Sequence, residues 1–153
     1  MLMNIIVSFL LMLVFATPLL SQDISEITTI NTIVDKPAAS FSDAVKLFVL
    51  VSGGRSTGHD DSMRLAGVQK VVRGMNYRAE DPLRRGALAL MIARHLDLRG
   101  TLLYSIFRTE RYAYKVCVKN HVMESDGSEW DRLSGGELVE IMRKVSAKKG
   151  GDK

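Results

Sequence analysis

The sequence predicts an all-α protein, built from three helix-loop-helix repeats of which the first is incomplete, packed as one compact helical domain. Three observations carry this expectation. Apolar residues recur at helical spacing in five segments, glycine or proline punctuates the segment ends, and two long stretches share one plan when written under each other.

The first 22 residues, MLMNIIVSFLLMLVFATPLLSQ, contain no charged side chain. The apolar run from Ile5 to Phe15 has the length of a signal-peptide core and is short for a membrane span. Thr17 and Pro18 break it, and Ala16 and Ser21 are small enough for cleavage. Residues 1–22 are therefore expected to be a signal peptide, and the protein exported to the periplasm or the cell envelope or surface. The basic start usual in such peptides is missing, so the alternative is a retained anchor, the one circumstance in which a membrane partner is expected. DISEITTINTIVDKPAAS is polar and β-branched, which predicts a linker or arm over 23–38 with at most one short strand.

The helical domain is expected over 39–147. Ser40 and Asp43 have the spacing of a capping box and open a helix over 40–51, with β-branched density at Leu47 to Val51 favouring a strand locally. SGGRSTGHDDS is a loop by composition. Met63, Leu65, Ala66, Val68, Val71 and Val72 form an apolar stripe, predicting a helix over 61–73 stopped by Gly74. Pro82 suits a first helical turn and Gly100 a position past the end, giving a helix over 83–97. Another helix is expected over 106–120. Ser134 caps the last one, over 134–146, before a frayed, disordered tail at 148–153.

Lys and Arg number 21 and Asp and Glu 17, a net charge of +4, which permits weak attraction to anionic polymers but is shared by many inert proteins. Tyr104, Phe107, Tyr112 and Tyr114 read as helix faces rather than base-stacking platforms, so no nucleic acid is expected. The single cysteine, Cys117, excludes an internal disulfide and lies between Val116 and Val118 as a buried thiol would.

LSGGE, from Leu133 to Glu137, has the letters of the signature loop of ATP-binding cassette ATPases. The parts such an enzyme needs do not accompany it. Gly53 and Gly58 have phosphate-loop spacing, but His59 stands where the lysine should be and Asp60 where the hydroxyl should be, and a carboxylate there repels phosphate. Ser134 and Glu137 instead have the spacing of a second capping box. Asp126 to Glu137 spans a calcium-loop length, but Trp130 and Asp131 occupy places that need a ligand and a glycine. His59, His95 and His121 are scattered. No metal, cofactor or enzymatic activity is predicted. Arg73, Arg78, Arg84, Arg85, Arg94 and Arg99 crowd the middle of the chain, and Arg84 and Arg85 fall in a first helical turn, where cations oppose the helix dipole.

Ala66 to Leu96 and Ala113 to Val145 each read as a short helix, a polar loop, and a helix entered by Leu. SFSDAVKLFVLV fits the second helix of an earlier, partial copy. Asp43, Ala87 and Glu137 fall in register. With these junctions, and above all NYRAEDPLRRGALALMIARHLDL, the chain resembles S-layer homology domains over about residues 38–146. The family's Thr-Arg-Ala-Glu-like motif is matched by Arg84, Arg85, Gly86 and Ala87, preceded by Asp81, Pro82 and Leu83. Ser134, Gly135, Gly136 and Glu137 take the same places in the last copy, and Ser40, Phe41, Ser42 and Asp43 in the first. Only the middle copy keeps the motif arginine.

The resemblance implies an exported cell-envelope module that attaches to an anionic cell-wall polymer or peptidoglycan through its second repeat. The residues it implicates in glycan binding are Arg85, Arg84, Arg78 and Asp81. The alternative is a small helical envelope protein that contacts other envelope proteins and has no glycan site.

Overall fold

The computed structural model describes residues 17–53, 65–100 and 102–151. Among them are seven helices and no strand: α1 (Thr17–Val34), α2 (Phe41–Val51), α3 (Ala66–Val72), α4 (Arg85–His95), α5 (Leu102–Phe107), α6 (Glu110–Lys119) and α7 (Gly135–Gly151). The chain divides into two units, Met1–Thr32 and Ile33–Lys153.

The described part of the first unit is helical. The predicted arm at 23–38 is thus corrected: α1 runs to Val34, and only the residues after it are extended or turned. Thr32 shows how a β-branched stretch tolerates this, since its Oγ1 donates to the Thr28 carbonyl at 2.8 Å, one turn back. The predicted signal segment lies outside the described residues as far as residue 16.

In the second unit α4 is the central element. Ala87 to Ala93 are all buried, so the helix has no solvent face, as a sequence apolar on all sides requires. It packs on α6 and α3, while α2 packs on α7 and α3, and α5 on α6. The run Leu47 to Val51 is helical, because Leu47, Phe48 and Val49 are buried in this core. Cys117 is fully buried, and its thiol, 3.4 Å from the Ala89 carbonyl, is pushed up to about 12 by burial.

The helix expected over 61–73 is described from Ala66, residues 61–64 lying outside the described residues, and it stops before Gly74 (φ 72°), as expected. Three boundaries differ from expectation for local reasons. The predicted helix 106–120 is two helices, α5 and α6, broken at Arg108, which has a left-handed φ of 39°. Helix α4 ends at His95, two residues before the expected 97, and Asp97 has a left-handed φ of 46°. Gly100 has a different role: a Cβ there would come within 2.5 Å of Val116 Cγ2 and 2.7 Å of Tyr104 Cδ1. The predicted disordered tail is helical to Gly151, with Lys148 Nζ on the Asn120 carbonyl at 3.0 Å.

The N-terminal ends of α2, α4 and α7 meet in a closed ring of backbone hydrogen bonds. The Ala39 N–H donates to the Leu133 carbonyl at 2.8 Å, the Leu133 N–H to Leu83 at 3.0 Å, and the Leu83 N–H to Ala39 at 2.8 Å. All three residues are buried. A second set lies one step outside it. The first-turn N–H groups of Phe41, Arg85 and Gly135 donate to the carbonyls of Asp81, Asp131 and Lys36, each at 2.9 Å. Each helix therefore receives the loop that precedes the next, and residues 33–39 close the circuit on α7.

Helices α2 and α7 carry the predicted capping boxes. Ser40 Oγ accepts the Asp43 N–H at 3.3 Å, and Asp43 accepts the Ser40 N–H at 2.9 Å. Ser134 Oγ accepts the Glu137 N–H at 3.2 Å, and Glu137 accepts the Ser134 N–H at 2.9 Å. Helix α4 has no side-chain cap, because loop carbonyls replace it: Arg85 N–H meets Asp131 and Gly86 N–H meets Glu129, at 2.9 and 2.8 Å.

Candidate functional site

The side chain at the first position of each ring helix decides what stands at each junction. At α2 it is Phe41, stacked on Tyr77 with ring centroids 5.3 Å apart. At α4 it is Arg85. At α7 it is Gly135, where the Ile33 carbonyl leaves no room for any side chain.

Arg85 is turned inward. Its Nη1 pairs with Asp126 at 3.0 Å and its Nη2 with Glu137 at 2.9 Å, and its side chain is only 14% exposed. Burial works against the charge, but the bonds to Asp126 and the neighbouring acids outweigh it and hold the proton more tightly than usual. Glu137 is held below the usual carboxylate range by its bonds to Ser134 and by Arg85. The two ends of the calcium-length loop thus grip one guanidinium. Arg85, the residue that the sequence resemblance singled out, is committed inside the protein.

Arg84 and Asp81, by contrast, line an open cleft of about 560 Å³ beside the α4 end, together with Asn76, Tyr77, Glu110 and Arg132. Tyr77 donates to Glu110 at 2.7 Å, and burial together with that carboxylate pushes its phenol up to about 12. Arg84 and Arg132 are drawn together by an isolated antiparallel bridge between their backbones. The Arg84 guanidinium lies 5.5 Å from the ring centre of Trp130, which is 64% exposed. Asp81 accepts the Arg78 N–H at 2.7 Å and so shapes the turn; Arg78 contributes backbone there and does not line the cleft.

Of the four residues named from sequence, two therefore share the cleft, one braces it and one faces elsewhere. Sequence reasoning missed Tyr77, Trp130, Arg132 and Glu110. The first three sit in loops whose alignment was legible: Asp81 and Asp131 close equivalent turns, on the N–H groups of Arg78 and Ser128. Glu110 arrives from a separate helix and left no local signal.

Chemically, the cleft offers two cations, two carboxylates, an amide and a tyrosine beside an exposed indole. Arg84 and Arg132 can meet single negative groups, while Asp81 and Glu110 repel a dense polyanion and can accept hydroxyl donors. No protein-family model, curated protein or solved structure matches the chain.

Proposed function

We propose that this protein is a cell-envelope binding module of S-layer homology type, three degenerate repeats closed into a ring, and that the cleft beside α4 holds a cell-wall glycan. The carrying observation is the meeting of Arg84, Asp81, Glu110 and Arg132 in one open cleft with exposed Trp130 at Arg84. The closed ring Ala39–Leu133–Leu83 supports the repeat reading, because each residue immediately precedes a motif position aligned by sequence. In this reading Arg84 meets an acidic group of the polymer, Asp81 and Glu110 accept sugar hydroxyls, and Trp130 offers a face to a pyranose ring. The role expected of Arg85 passes to Arg84, since Arg85 is consumed by Asp126 and Glu137.

The second reading, contacts with other envelope proteins and no glycan site, is favoured by that same internal commitment of Arg85. Retention on purified cell-wall sacculi separates the two. Arg84→Ala should weaken retention about 10- to 150-fold, the loss of one charge-assisted bond, and Trp130→Ala should weaken it less. Arg143→Ala, which removes only an exposed pair with Glu140 on α7, should leave retention unchanged. Equal retention of all three variants would move the assignment to the protein-contact reading.

A further inference from the structure

A second surface of the unit shares no residue with that cleft. Helix α5 has six residues and leaves four large apolar side chains uncovered: Leu102 is 80% exposed, Leu103 47%, Ile106 64% and Phe107 56%. At helical spacing these four lie together on one side, while Tyr104, on the other, is buried. Phe107 stacks on Tyr112 at 6.0 Å, which widens the apolar ridge. A contiguous group of this kind marks an interaction surface, whereas scattered exposed leucines do not.

The opposite side of α5, where Tyr104 and Ser105 stand, borders a basic cleft. Ser105 and Arg108 line a cleft of about 670 Å³ with Lys70, Arg73, Arg94 and Arg99, and among the described residues Asp97 is the single acid in its lining. Asp97 pairs with Lys70 at 3.2 Å, and Arg94 is spent on the carbonyls of Val71 and Arg73 at 2.8 and 2.7 Å. Arg73, Arg99 and Arg108 have no carboxylate partner among the described residues. Arg99 and Arg108 bracket the ridge in sequence, one on each side of α5, and both are exposed.

We propose that α5 is an interfacial membrane-docking helix and that its partner is a bilayer rich in anionic phospholipid. The ridge enters the boundary between headgroups and acyl chains, while Arg73, Arg99 and Arg108 take the lipid phosphates. The charge pattern selects this occupant. An interfacial helix needs an apolar face below and a cationic face at headgroup level, and neither alone gives stable binding. At 1.5 Å per residue α5 is only about 9 Å long, too short to enter deeper than the interface. Among the described residues no helix is long and apolar enough to cross a membrane.

The test uses the full chain with a reporter on the ridge itself, so that binding through the apolar N-terminal segment is not mistaken for docking. Ile106→Cys carries an environment-sensitive fluorophore. Cys117 stays unlabelled because it is fully buried and its thiol is raised to about 12. Vesicles of equimolar phosphatidylcholine and phosphatidylglycerol should shift the emission to shorter wavelength, and pure phosphatidylcholine vesicles should not. Adding Arg99→Gln and Arg108→Gln should weaken the titration on the order of 30-fold, about fivefold for each cation at the surface. An unshifted spectrum with the anionic vesicles overturns the proposal and leaves the ridge to a protein partner. An equal shift with neutral vesicles, or one unaffected by the arginine changes, overturns it as well.

Discussion

Gly135→Ala should unfold the protein more easily, although helix propensity alone predicts the reverse. Gly135 is the first residue of α7, and alanine in a helix is ordinarily preferred to glycine by about 1 kcal/mol. A Cβ at this place would overlap the carbonyl oxygen of Ile33 and lie 2.7 Å from its carbon and 3.3 Å from the Lys36 oxygen. Those are backbone atoms, so no side-chain rotation relieves the overlap. Residues 33–36 must move away, and the Gly135 N–H bond to Lys36 at 2.9 Å goes with them, about 1 kcal/mol. Ile33, 2% exposed, is then partly returned to water, which costs about 2 kcal/mol. The net expectation is a loss of about 2 kcal/mol once the propensity gain is set against these terms. Gly136→Ala is the control. Its nearest neighbour is the Val34 oxygen at 3.9 Å, so that variant should be neutral or slightly more stable. Urea unfolding followed by far-UV circular dichroism reads both. A Gly135→Ala protein as stable as Gly136→Ala would refute the argument that residues 33–39 close the ring on this helix.

Other outcomes follow from the caps and the buried carboxylate. Ser134→Ala should cost about 1 kcal/mol by the same urea assay and leave nucleotide binding, measured calorimetrically with ATP, at zero. Saturable ATP binding would reopen the ATPase interpretation of LSGGE. Asp43 is 1% exposed. Burial raises its proton affinity, but bonds from Lys36 and Ser40 outweigh this and hold the carboxyl below its ordinary 3.8. The unfolded chain therefore binds this proton first, and the stabilisation, complete above the ordinary value, is lost as pH falls through the lowered one. Asp43→Asn should flatten the acid limb of a stability–pH profile; an unchanged limb would mean that other carboxylates govern acid unfolding.

The helical class and the capping boxes were legible because they are local. A hydroxyl three residues before a carboxylate, followed by apolar spacing, dictates a helix start wherever it occurs, and Ser40 and Ser134 both behave so. What was not legible depended on neighbours. Residues 23–34 carry β-branched side chains whose weak preference the helix overrides. Arg108 looks like any helical arginine, and nothing local announces its left-handed break. Gly100 reads as a stop signal, yet its cause is the crowding of Tyr104 and Val116 against it. The tail's lysines and glycines read as frayed, yet α7 runs to Gly151 and Lys148 reaches the Asn120 carbonyl at the α6 end.

The motif positions show why the candidate site was only half legible. Alignment put Phe41, Arg85 and Gly135 at one equivalent place, and the ring makes them equivalent in geometry. It also makes each face the next loop, not the solvent. A residue there contributes ring stacking, an ion pair or bare backbone approach, according to what that loop presents. Arg85 stands opposite Asp126 and within reach of Glu137, so its charge is answered before any ligand arrives. The position one residue earlier escapes this constraint, because its backbone is fixed by the bridge to Arg132 while its side chain points outward past Trp130. Arg84 therefore carries the one cation of the aligned positions that is open to solvent, and under the proposed function the acidic residues around it would limit how much negative charge a ligand could bring.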